Sequence, residues 1–130
     1  METRHEIVQK CLPTAINGVC LKPLTLYLKL ISRKWMIFII MVLPRNSTPL
    51  RYSEIKNRIK ALTSEKISDT TLSSRLNELL DYLIVERKQY NEIPPRVEYK
   101  LSPKGVHLQE SLQPLITWAI NDCHQHKIKS

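Results

Sequence analysis

Between residues 68 and 83, Thr70, Ser74, Asn77 and Asp81 recur at helical spacing, with Thr71 beside them, opposite an apolar series of Leu72, Leu76, Leu79, Leu80 and Leu83. Small hydroxyl and amide side chains on the outer face of a helix can donate to and accept from base edges in a DNA major groove. Arg75 on the same segment, and Arg87, Lys88 and Arg96 beyond it, are suited to phosphate oxygens. Arg96 has a second role open to it, since an arginine beside two prolines can instead fasten its own hairpin through Glu98 or the backbone. An amphipathic helix with a merely solvated polar face has the same composition. Asp69 and Glu78 lie on or beside that face and oppose phosphate approach unless they pair internally or accept from a cytosine amino group.

Other candidate chemistry is sparse. Cys20 precedes a helix and neighbours Lys22, where a helix N-terminus and a cation lower a thiol pKa and favour reactivity. It is the candidate redox sensor, although a small buried residue fits the position equally well. Three cysteines, an odd number, read as thiols more than as a disulfide framework. Cys123, His124 and His126 lack the paired spacing of a structural zinc site and read as a polar end. No phosphate-binding glycine loop, dinucleotide fingerprint, HExxH helix or nucleophile elbow occurs, so neither catalytic residues, metal nor cofactor is expected.

Along the chain, Pro23 suits the first turn of a helix ending near Ile31, with Leu24, Tyr27, Leu28 and Ile31 at helical spacing. Ser32 is expected to cap a second, buried helix through Leu43 that Pro44 stops. Arg45 to Pro49 reads as a loop, Leu50 to Tyr52 as a very short strand, and Ser53 as the cap of a brief helix carrying Ile55 and Ile59. Lys60 to Ile67 is expected to be polar connection, after which Ser68 caps the helix described above. A hairpin follows: Ile84 to Tyr90, a turn at Asn91 to Pro95, and Arg96 to Leu101, in which Val97, Tyr99 and Leu101 alternate with Arg96, Glu98 and Lys100. Ser102 and Pro103 open a last long helix that Pro114 is expected to bend.

The order of helices, basic hairpin and helix is that of a winged helix-turn-helix, a mainly α (α+β) fold with a two-stranded wing and a C-terminal helix. The boundaries expected are a tail over 1–19, a winged-helix domain over 20–122 and a tail over 123–130. With 130 residues and a hydrophobic fraction of 42%, the chain has the size and composition of one globular domain. The net charge of +8 favours a polyanionic partner. The longest apolar run, Trp35 to Leu43, is less than half the roughly 20 residues a spanning helix needs. With no apolar leader in Met1 to Lys10, a cytoplasmic location and no membrane partner are expected.

These residues carry a family resemblance. Tyr90, the run Pro94-Pro95-Arg96-Val97-Glu98-Tyr99, Leu101, Ser102 and Gly105 resemble the wing and last-helix start of the HxlR-type regulators, relatives of the MarR group. Cys20, Lys34-Trp35, Tyr52-Ser53-Glu54-Ile55, Ile67-Ser68, Leu72, Arg75 and Leu76 extend the match. The chain departs from the family at Ser32 and Arg33, where two glycines are usual, at Leu83, where one glycine is usual, and in a longer Lys60 to Lys66 loop. The resemblance implies a homodimer joined through the N-terminal and last helices, binding double-stranded DNA at a pseudo-palindromic operator. It also implies base reading by Thr70, Thr71, Ser74 and Asn77, phosphate contact by Arg75, and wing contact by Arg87, Lys88 and Arg96. Some members use the cysteine matching Cys20 to sense electrophiles or oxidants, while the effector here is not specified. A winged-helix protein-interaction module and a nonspecific architectural DNA binder are the competing readings.

Overall fold

A computed structural model describes residues 15–16 and 19–126. The chain divides between Ile37 and Phe38 into two units. In the first, β1 (Ala15–Ile16) and β2 (Val19–Cys20) pair antiparallel with Ala15 opposite Cys20, within the stretch expected to be a tail. α1 (Lys22–Ile31) follows, with Pro23 in its first turn as expected. Ser32 closes this helix and does not open the next. Its N–H reaches Leu28 O, the following Arg33 N–H reaches Leu30 O, and the Ser32 hydroxyl donates to Lys29 O at 3.0 Å. Trp35 then takes the left-handed conformation at φ 78°, through which a right-handed helix cannot run. α2 (Met36–Val42) therefore starts three residues later than the Ser32 cap implied.

The second unit is built on α3 (Tyr52–Thr63), α4 (Asp69–Asp81) and the hairpin β4 (Val85–Tyr90) and β5 (Arg96–Leu101). β3 (Leu50–Arg51) pairs with β5, Leu50 opposite Tyr99, so the wing hairpin belongs to a three-stranded antiparallel sheet of order β3-β5-β4. α3 is longer than the brief helix expected. Ile55 and Ile59 are fully buried and extend the apolar stripe, and the helix ends only where Ser64 turns left-handed at φ 61°. Part of the expected polar connection is thus its last turn. On α4, Leu72, Leu76 and Leu79 are buried, and together with Ile39, Ile40, Ile67, Ile84 and Leu101 they supply the core of this unit.

The α4 to β4 junction sets the position of everything that follows. Ile84 N–H reaches Leu79 O and Leu83 N–H reaches Leu80 O, the paired bonds of a Schellman turn. Leu83 occupies its left-handed position at φ 59° and is 69% exposed, so it leaves the apolar stripe in which its spacing placed it. α5 (Pro103–His126) starts on this turn. Ser102 Oγ accepts from Gly105 N–H at 3.0 Å and sits 2.6 Å from Leu83 O, while Lys104 Nζ donates to Tyr82 O at the end of α4. A Cβ on Gly105 would lie 2.0 Å from Ile84 O, so this close approach requires glycine.

α5 continues unbroken past Pro114 to His126, into the segment expected to be a tail. Its buried Gln109 donates to Ile40 O at 2.8 Å and Leu43 O at 3.2 Å, satisfying the last carbonyls of α2, and accepts from Arg45 Nε. Among the described residues no helix is long and apolar enough to cross a membrane.

Candidate nucleic-acid interface

α3 and α4 are locked together at their N-terminal ends. The Tyr52 hydroxyl donates to Asp69 O at 2.7 Å and lies 3.3 Å from Ser73 Oγ, and Lys56 Nζ meets Asp69 Oδ1 at 2.6 Å. The Lys56 ammonium, by hydrogen bond and by charge, holds the Asp69 carboxyl below the usual carboxylate range. A depressed carboxyl pKa stabilises the fold above its unfolded value and ceases to do so as pH falls through the folded one. Ser68 caps α4 as expected: its Oγ accepts from Thr71 N–H at 3.1 Å and donates to Thr71 Oγ1 at 2.8 Å. Thr71 is thereby drawn into the cap and is only half exposed.

Thr70, Ser74 and Asn77 share the exposed face of α4, together with Asp81 and with Ser73. Ser73 is absent from the set expected to read bases, although its offset from Thr70 and Asn77 places it on that stripe. Arg75 is turned away from solvent. Its guanidinium pairs with Glu78 at 3.0 Å, with the two side chains 18% and 23% exposed. Both acidic groups that opposed phosphate approach, Asp69 and Glu78, are therefore internally paired.

The wing distributes its charges differently. Lys88, Tyr90, Arg96 and Glu98 fall on one face, because Lys88 opposes Glu98 and Tyr90 opposes Arg96. Arg96 lies 3.8 Å over the Tyr90 ring, with Nη2 3.3 Å from Glu92 and Nε 3.3 Å from Glu98 but off the hydrogen-bonding axis. These contacts fasten the hairpin, as one of the two roles open to Arg96 requires. Lys88 also lies over Tyr90, at 4.8 Å, yet stays exposed. Arg87 points to the opposite face, is exposed, and has no ion pair among the described residues. The alternation in β5 sets the register but not the burial, since Arg96 and Glu98 are as covered as Val97 and Tyr99.

In the first unit, Cys20 is disulfide-bonded, contrary to the thiol reading of three cysteines, which leave room for one bridge and one thiol. In the second, Cys123 is free and exposed. A cleft of about 360 Å³ lies beside the wing root, lined by Arg45, Glu86, Lys100 and His107 among others. Arg45 and Lys100 are already paired there with Glu110 and Glu86.

The sequence model of the HxlR-like helix-turn-helix family matches residues 30–127. The chain belongs to the HxlR family. This HxlR chain is 38% identical over 95 residues to an uncharacterized HTH-type transcriptional regulator of Halalkalibacterium halodurans, covering 73% of this chain and 79% of that one. It is 36% identical over 107 residues to the HTH-type transcriptional regulator YodB of Bacillus subtilis, covering 82% and 88%. The solved reduced form of YodB superposes with a TM-score of 0.63 at 35% identity, covering 78% of this chain and 90% of that one. Its diamide-treated form gives 0.58 at 31%, covering 76% and 91%. A possible HxlR family transcriptional factor from Thermoplasma volcanium gives 0.60 at 32%, covering 73% and 80%. The HxlR chain is thus a winged helix-turn-helix protein of a transcription-regulator family and not an enzyme.

Proposed function

We propose that this HxlR protein is a sequence-specific transcriptional regulator that binds a pseudo-palindromic operator as a homodimer, with α4 in the major groove. The observation that carries the reading is the outward set Thr70, Ser74 and Asn77 on a helix whose acidic neighbours are neutralised from within. Arg87 and Lys88 contact the DNA from the wing, and Arg96 keeps the wing in shape. Leu115, Trp118 and Ile120 on α5 and Leu24 and Leu28 on α1 are exposed apolar side chains available to a second subunit. A two-fold dimer sets its recognition helices about 34 Å apart. Cys20 makes the DNA affinity responsive to thiol redox state, a reading supported by its disulfide and by the likeness to YodB, solved in reduced and diamide-treated forms.

Selection of bound sequences from a random duplex library tests this. A two-fold motif whose occupancy falls by orders of magnitude between about 50 and 200 mM salt is expected from six or more phosphate contacts. Absence of enrichment at every salt concentration contradicts it and favours a protein-interaction module.

A further inference from the structure

The exposed face of α4 is short of cations. Over its first turns the exposed side chains are Asp69, held by Lys56, and the neutral Thr70, Ser73, Ser74 and Asn77. Two cations beside it are engaged, Lys56 with Asp69 at 2.6 Å and Arg75 with Glu78 at 3.0 Å within a half-buried pair, and Lys66, which also acts on Asp69, lies ahead of the helix and not on its face. Asp81, the remaining exposed group, stands at the C-terminal end of the helix, whereas base contacts come mainly from the N-terminal part of a recognition helix.

This composition discriminates between bases. In the major groove guanine presents two acceptors, N7 and O6, and is recognised chiefly by a bidentate arginine or lysine. Adenine presents an acceptor and a donor, which an asparagine amide matches with two hydrogen bonds, and thymine presents O4 and a methyl group that threonine can meet with its hydroxyl and methyl. The α4 face holds the second and third chemistries and lacks the first. Arg75 is not a free substitute. Turning it to a guanine would break its 3.0 Å ion pair with the partly desolvated Glu78 carboxylate, a penalty that offsets the new guanine hydrogen bonds.

Resting on the reading of α4 as the recognition helix, we propose that this protein selects A·T base pairs at the centre of each half-site. Asn77 binds an adenine, Thr70 and Ser74 bind neighbouring positions, and the Arg75–Glu78 pair excludes guanine by withholding its cation. Glu78 is thus a specificity-determining residue that touches no base.

The test is selection from a random duplex library with the full chain as wild type, Asn77→Ala and Glu78→Gln, with thermal unfolding recorded for each. The wild type is expected to enrich A·T over G·C about tenfold at about four central positions per half-site, the number of side chains that reach base edges. Asn77→Ala is expected to lower the adenine preference about tenfold at one of them and leave the others. Glu78→Gln removes the ion pair that holds Arg75 and adds a guanine preference beside that position. Enrichment of G·C pairs by the wild type at positions that the α4 variants alter would overturn the A·T inference while leaving α4 as the reader. A motif that neither variant changes, or no motif, would overturn the recognition-helix reading together with it.

Discussion

On α4 two of the three acids are paired with cations, Asp69 with Lys56 and Glu78 with Arg75, Asp81 stands exposed at the C-terminal end, and neutral hydrogen-bonding side chains occupy the rest of the outer face. On the wing the cations themselves are absorbed, Arg96 by Glu92, Glu98 and the Tyr90 ring and Lys100 by Glu86. Both regions carry several charges, yet their surpluses differ. α4 is left with groups that discriminate bases, and the wing is left with Arg87 and Lys88, which are suited to phosphates. Where an arginine sits in the sequence does not say which of these surpluses it joins; the partners across the strand or one turn along the helix decide.

The contrast is broken most severely at the junction the two regions share. Gly105→Val places side-chain carbon against Ile84 O and should destabilise the fold by about 3 kcal/mol or more, removing recognition and wing contact together. Thermal unfolding checks it, and an unchanged midpoint would mean that α5 docks otherwise. Next in size is Arg96→Ala, which removes the clasp over Tyr90. Loss of a packed, ion-paired cation–π contact should cost about 1–2 kcal/mol of stability, read by denaturant unfolding, with the selected motif retained.

Smaller effects sharpen the contrast. Arg87→Ala should weaken binding nearly equally for all duplexes and lower the slope of log affinity against log salt by about 1, as measured by fluorescence anisotropy. A sequence-dependent loss would instead give the wing a reading role. Leu83→Gly relieves a left-handed leucine that is mostly exposed, and should raise stability by about 0.5–1 kcal/mol without changing affinity.

Reading the chain from its residues succeeds where local chemistry dominates. Ser68 as a cap, the spacing of Leu72, Leu76 and Leu79 on α4, the strand at Arg96 to Leu101 and the Ser102-Pro103 start of α5 are short-range signals, and the structure follows each. The outward set on α4 follows from the same periodicity. What fails depends on distant or competing partners. Ser32 suits either end of a helix, and the left-handed backbone at Trp35 makes it a terminator. Ser73 belongs to the outward stripe by spacing, but its tie to Tyr52 joins residues 21 apart. Arg96 is assigned by Tyr90, its cross-strand neighbour, and Arg75 by Glu78, each an electrostatic choice that composition leaves open. The β1–β2 pairing has a signal in the sequence, since an Asn-Gly dipeptide flanked by apolar residues is a strong short-range hairpin signal.

The most direct test of the account is the ratio of affinities for a selected duplex and its scrambled counterpart, measured for the wild type and for a Ser74→Glu, Asn77→Ala double variant of equal thermal stability. Recognition by the outer face of α4 predicts that the ratio collapses to about 1 in the variant, since each lost base contact carries about 1–3 kcal/mol of discrimination. A ratio unchanged by the double substitution would contradict it and move sequence recognition elsewhere on the protein.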